Sequence, residues 1–82
     1  MSHWTIWANY DAESRTWYTV NGDIPGLLVD APSIEELASK AGAHLPDLLE
    51  IHAGDFADAA RLQGPHTIRV IAFHERDFDV AA

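Results

Sequence analysis

The 82-residue sequence contains no cysteine. That absence removes disulfides, thiolate nucleophiles and cysteine-based zinc sites together, and it fits a reducing, cytoplasmic compartment. Bases are scarce too, five against thirteen acids, for a net charge of −8 with histidine neutral. This is the wrong sign for a surface that neutralises phosphates, so neither direct nucleic-acid binding nor docking to an anionic membrane is expected. A basic protein or a cationic ligand is the partner such a field attracts. No apolar run approaches a membrane span, and the segment Met1 to Asn9 lacks the basic and apolar regions of a secretory leader. Nor is there a phosphate-cradling loop. The stretch Gly22-Asp23-Ile24-Pro25-Gly26 is short and leads into a predicted strand, without the helix N-terminus that holds anions.

What is present is an ordinary globular composition, 48% hydrophobic and 22% charged, read as one small domain over residues 1–82. His3 to Val20 is rich in aromatic and β-branched residues and is broken by Asp11-Ala12-Glu13-Ser14, which predicts a hairpin. A four-residue loop closed by Tyr10 and Arg15 sets Ile6 opposite Thr19, Ala8 opposite Trp17 and Trp7 opposite Tyr18. A turn through Asn21 to Gly26 then feeds a short third strand, Leu27 to Asp30.

Pro32 ends that strand, and Ser33-Ile34-Glu35-Glu36 is a capping box that starts a helix. Ile34, Leu37, Ala38, Ala41, Leu45, Leu48, Leu49 and His52 share one stripe, with Glu35, Glu36, Lys40, Asp47 and Glu50 opposite. The phase runs unbroken across Pro46, so a kink is expected there rather than a break into two helices, with Gly54 as a left-handed cap. Asp55 to Gly64 is a polar connector with weak helical character around Phe56 to Arg61. His66 to Phe73 alternates as a fourth strand, with Arg69, Ile71 and Phe73 on one side, and the acidic run Glu75 to Asp79 is a solvated end.

The expected fold is therefore α+β, a two-layer β-β-β-α-β unit: a mostly antiparallel four-stranded sheet with one long kinked helix on one face. A single helix cannot cover both faces of such a sheet, so one face is left to water or to a partner. A chain this small also gains from association, and a homodimer is expected.

The residues that could carry chemistry do not converge. His44 and His52 stand two helical turns apart, roughly 12 Å along the axis, and His66 and His74 are separated further in an extended stretch. Glu75, Asp77 and Asp79 share one side of the tail but read as solvated. No serine has a nucleophile-elbow context, and Ser33 already caps a helix. No catalytic residue, metal site or cofactor is assigned. What remains is surface: Trp7, Tyr18 and Val20 fall together on the open face, and Ile24, Pro25 and Leu27 form an apolar loop beside them. These six are the expected partner-binding residues.

The stretch from Asp11 through Trp17, then Asp23-Ile24-Pro25-Gly26-Leu27, Ser33-Ile34-Glu35-Glu36-Leu37 and Leu45-Pro46-Asp47-Leu48-Leu49, resembles the small HicB-like antitoxin domains, including short members classed only as a domain of unknown function. The resemblance implies a partial RNase H-like arrangement and a partner, a small basic mRNA-cleaving toxin of the HicA type, that the domain binds and blocks. This chain departs from the family pattern at Ala31-Pro32-Ser33, where Gly-Asp-Thr is frequent, and in a longer connector. It ends at Ala82 without the DNA-binding domain of regulatory members, so operator binding is not implied. Its first strand, Trp4-Thr5-Ile6-Trp7-Ala8, lacks a metal-binding acid, so nuclease activity is not implied. The competing reading from the residues is a non-catalytic homodimeric structural or small-ligand-binding domain; a metal-dependent hydrolase is the third.

Overall fold

The N-terminal alternation resolves into two strands, β1 (Ser2–Asp11) and β2 (Thr16–Gly22), in a computed structural model that describes residues 2–57 and 59–73. After them come β3 (Asp30–Ala31), the helix α1 (Ile34–Ile51), two short 3₁₀ turns (Ala53–Asp55 and Ala59–Leu62) and β4 (His66–Phe73). The sheet order is β3-β2-β1-β4, with β1–β2 and β2–β3 antiparallel and β4 parallel to β1. A parallel neighbour needs a long crossover, and α1 with the connector supplies it over one face. The two-layer β-β-β-α-β layout is as expected.

The hairpin register differs by two residues near the turn. Asp11 pairs with Thr16, Tyr10 with Trp17, Asn9 with Tyr18 and Ala8 with Thr19, and the pairing then slips so that Trp7 meets Asn21 and Ile6 meets Gly22. The cause is Asp11. Its Oδ1 accepts from the Glu13 amide at 3.0 Å and its Oδ2 from the Ser14 hydroxyl at 2.9 Å, so Asp11 anchors the turn as the last strand residue, and Arg15 closes it at φ 57°. The Ser14 hydroxyl first, and the Glu13 amide after it, hold the Asp11 carboxyl below its ordinary value. Because the slip from Ala8 to Asp11 is even, the side chains from Thr16 to Thr19 keep their faces, whereas beyond the bulge the shift is three, which puts Asn21 beside Trp7 and Gly22 beside Ile6. Val20 is the extra residue of the bulge. Gly22 has no room for a side chain, since a Cβ there would sit 2.7 Å from the Thr5 carbonyl oxygen.

β3 is shorter and later than the expected strand at Leu27 to Asp30. The Thr19 hydroxyl accepts from the Val29 amide at 3.2 Å, while the Thr19 amide donates to the Val29 carbonyl at 3.1 Å. A side chain thus holds part of this segment and interrupts the backbone ladder before Asp30.

The helix starts where the capping box places it. Ser33 Oγ accepts from the Glu36 amide at 3.1 Å. It runs continuously through Pro46 to Ile51 and buries Leu37, Ala41, Leu45 and Leu49. Gly54 is not its cap. His52 ends the helix at φ −104°, and Gly54 lies in a 3₁₀ turn without positive φ. The left-handed glycine is Gly26, at φ 74° in the loop that packs against His52.

The core lies between α1 and the inward face of the sheet. Trp4, Ile6, Ile24, Ala41, Leu45 and Leu49 form one buried cluster and Ala8, Ala31 and Leu37 a second. The connector adds to the first of these, because Phe56 and Leu62 pack against it. Trp4 is fully buried, with Phe56 edge-on at 5.6 Å between centroids, the Arg61 guanidinium 4.4 Å over its ring and its indole N–H donating to His66 Nδ1 at 3.1 Å. Arg61 also donates to Asp23 Oδ2 at 2.8 Å, and Asp23 Oδ1 accepts from the Thr5 amide at 2.8 Å, which ties connector, loop and β1 together.

Candidate functional site

The face of the sheet turned away from α1 is the candidate site. Strand alternation builds it: Trp4, Ile6 and Ala8 point into the core, so Trp7 points out. The parallel register pairs Trp7 with Ile71 and Asn9 with Phe73, which makes Trp7 and Phe73 diagonal neighbours. Their rings stack, with centroids 5.6 Å apart and planes within 5°. Both stay exposed, Trp7 at 38% and Phe73 at 53%.

Across β1 from Phe73 the band continues through Val20 and Tyr18, 54% and 40% exposed. Leu28, 86% exposed, lines one shallow depression with Tyr18 and Asp30 and a neighbouring groove with Val20. An apolar strip therefore crosses the face that the described residues leave open, from β4 to the loop before β3. Contiguous exposed apolar surface of this kind marks contact sites on soluble proteins. Acids lie beside it. Asp30 pairs with Tyr18, and Asp11 ends β1 on the same side as Trp7 and Asn9. Other acids, Glu35, Glu36, Asp47 and Glu50, are placed on the back of α1.

Of the six expected partner-binding residues, Trp7, Tyr18 and Val20 lie on this face. Ile24 does not: it is 5% exposed and belongs to the core. Leu27 packs partly against the same cluster, and Pro25 is half-buried. The loop meets the strip through Leu28 instead. Two members of the strip, Phe73 and Leu28, are not among the six. The alternation of β4 does place Phe73 on the correct side; Leu28 carries no such signal, because its segment is not a regular strand.

The histidines are dispersed. His52 Nδ1 lies 3.1 Å from Asp55 Oδ2 at the end of α1, and His66 accepts from Trp4. Among the described residues no three His, Asp or Glu side chains gather closely enough to hold a metal ion. His74 and the acidic run Glu75 to Asp79 lie outside the described residues. No helix among the described residues is long and apolar enough to cross a membrane.

Comparison with known proteins adds a family and a fold. The family model described as a domain of unknown function, DUF1902, matches residues 3–72. The chain is similar to a solved structure, the hypothetical protein TTHA1013 from the extremely thermophilic bacterium Thermus thermophilus, at 29% identity and a TM-score of 0.67. That likeness covers 93% of this chain and 99% of the other. No curated protein matches.

Proposed function

We propose that this chain, which belongs to the DUF1902 family, is a non-enzymatic protein-binding module of the HicB-like antitoxin kind. Its uncovered sheet face docks a small basic mRNA-cleaving toxin of the HicA type and occludes that toxin's RNA-binding surface. The observation that carries the reading is the apolar strip of Phe73, Trp7, Val20, Tyr18 and Leu28 on the one face α1 leaves open, in a chain of net charge −8.

Physical chemistry divides the work between the two features. Long-range attraction between opposite net charges speeds encounter, and Asp30 and Asp11 beside the strip favour a cationic surface in register with it. Trp7, Tyr18 and Phe73 then supply the desolvated contacts, since aromatic anchors carry most of the binding energy at such interfaces. The sheet order β3-β2-β1-β4, with β4 parallel to β1, supports the HicB-like resemblance, because a partial RNase H-like arrangement requires that order and direction.

The experiment is calorimetric titration of the full chain with a HicA-type toxin, together with the toxin's RNA-cleavage rate. The expected result is a complex that weakens as salt rises, suppresses cleavage, and loses at least about 2 kcal/mol of affinity in Trp7→Ala or Tyr18→Ala. No complex, or one indifferent to both salt and these substitutions, overturns the reading.

A further inference from the structure

The two edges of the sheet are built differently. β3 is two residues long and is followed at once by Pro32, the blunt kind of edge that resists pairing with another chain. β4 occupies the other edge with eight residues in unbroken register against β1, and among the described residues it pairs with no other strand. It contains one charged residue, Arg69, no proline and no bulge. Among the described residues, none of the usual devices protects its outer row of backbone groups, apart from that single charge.

We propose that the outer edge of β4 is a homodimer interface, occupied by β4 of a second copy running antiparallel to it. The two sheets join into one across a two-fold axis, with both helices on the same side.

Three observations favour a second copy as the occupant and fix the register. First, opposite residues of an antiparallel pair share a face, so the axis passes through a residue position. An axis at Arg69 opposes two guanidinium groups and is disfavoured. Second, the strand is bare on both faces toward its end. Ile68 and Val70 pack against the core, whereas Ala72 on the helix side and Phe73 on the open side are exposed. The uncovered apolar surface thus surrounds Ile71. An axis at Ile71 sets Ile71 against its own copy, Val70 against Ala72, and the lone Arg69 opposite the exposed ring of Phe73, a cation–π arrangement.

Third, charge within β4 itself does not oppose self-association, despite the net charge and the acidic run Glu75 to Asp79 that follows the strand in sequence. The only charged side chain of β4 is basic, while Asp30 stands on the opposite edge, three strand spacings or roughly 14 Å away, beyond the screening length at physiological salt. Glu35, Glu36 and Asp47 are exposed on α1, and Glu50 shares a depression with His66 at the start of β4, five residues before Ile71. The same axis brings the two Trp7–Phe73 stacks to the middle of a doubled open face, so the dimer extends that face rather than covering it.

The test uses the full chain alone, which separates it from the proposed toxin partnership. Sedimentation over micromolar to sub-millimolar concentration is expected to show a dimer. Ile71→Lys opposes two ammonium groups across the axis and should raise the dissociation constant at least about tenfold with an unchanged circular dichroism spectrum. Because the chain has no cysteine, Ile71→Cys introduces a unique thiol and is expected to oxidise to a linked dimer. Arg69→Cys, whose copies lie roughly 13 Å apart along the paired strands, and Tyr18→Cys, remote from the edge, are expected to stay unlinked. A monomer at every concentration, or linkage through Arg69→Cys or Tyr18→Cys in place of Ile71→Cys, overturns the proposal.

Discussion

Trp7 and Phe73 lie ring on ring, 5.6 Å apart between centroids and tilted by only 5°. They come from the first and last strands of the described chain, and nothing from α1 covers them. Three residues before Trp7, Trp4 is wholly enclosed. The same residue type therefore stands on both sides of one strand with opposite environments, which makes the pair a direct probe of the one-sided layering.

Trp4→Ala removes a fully buried ring together with its hydrogen bond to His66 and its contacts with Phe56 and Arg61. A loss of about 3–5 kcal/mol is expected, a large part of the stability of a domain this size. Trp7→Ala gives up mainly a half-exposed stacking contact and should cost no more than about 1.5 kcal/mol. Urea denaturation of both variants checks the contrast; equal costs would contradict the single-layer cover.

Gly22 and Gly42 are predicted to respond in opposite senses to alanine. At Gly22 the new methyl would meet the Thr5 carbonyl oxygen at 2.7 Å, and pushing β1 aside should cost about 1–3 kcal/mol. At Gly42, inside α1, nothing lies within 4 Å of the new Cβ, and alanine should add up to about 1 kcal/mol through its helix propensity. Thermal melting of the two variants tests both signs.

Asp11 gives a pH dependence at the hairpin tip. Its carboxyl is held below the ordinary value of 3.8 by the Ser14 hydroxyl and, secondarily, the Glu13 amide. A depressed folded-state value means that the carboxylate's contribution is present above the unfolded value and fades as the pH falls through the folded one. Carbon-detected NMR titration should place Asp11 below 3.8 and Ser14→Ala should move it back upward. An Asp11 midpoint unmoved by Ser14→Ala would show that the hydroxyl is not the main cause.

Much of this fold is legible in the residues, and the reasons are local. His66 to Phe73 alternates in its first half and continues as a β-branched and apolar run, and Ser33 with an apolar stripe at helical spacing marks both the start and the buried side of α1. The division of β1 and β2 into inner and outer residues survives between Ala8 and Thr19, because the slip there is two and a strand's period is two; the bulge at Val20 carries no such signal. What is not legible depends on contacts distant in sequence or on side chains replacing backbone. Asp11 moves the turn by capturing Glu13 and Ser14, and the Thr19 hydroxyl displaces the third strand. Phe56 and Leu62 join the core from the connector, where 3₁₀ turns are too short to show a period. Ile24 leaves the expected contact surface for the same core, and Leu28 takes its place on a segment with no alternation to announce it.

Residue-resolved NMR of the full chain during addition of a HicA-type toxin distinguishes docking of a basic partner on the open sheet face from docking on α1. With the sheet face as the docking surface, the Trp7 indole N–H and the signals of Tyr18, Val20, Leu28 and Phe73 are expected to shift or broaden first, while Trp4 and the acids of α1 stay in place. Perturbations confined to Glu35 through Glu50, with Trp7 unmoved, would contradict docking on the sheet face.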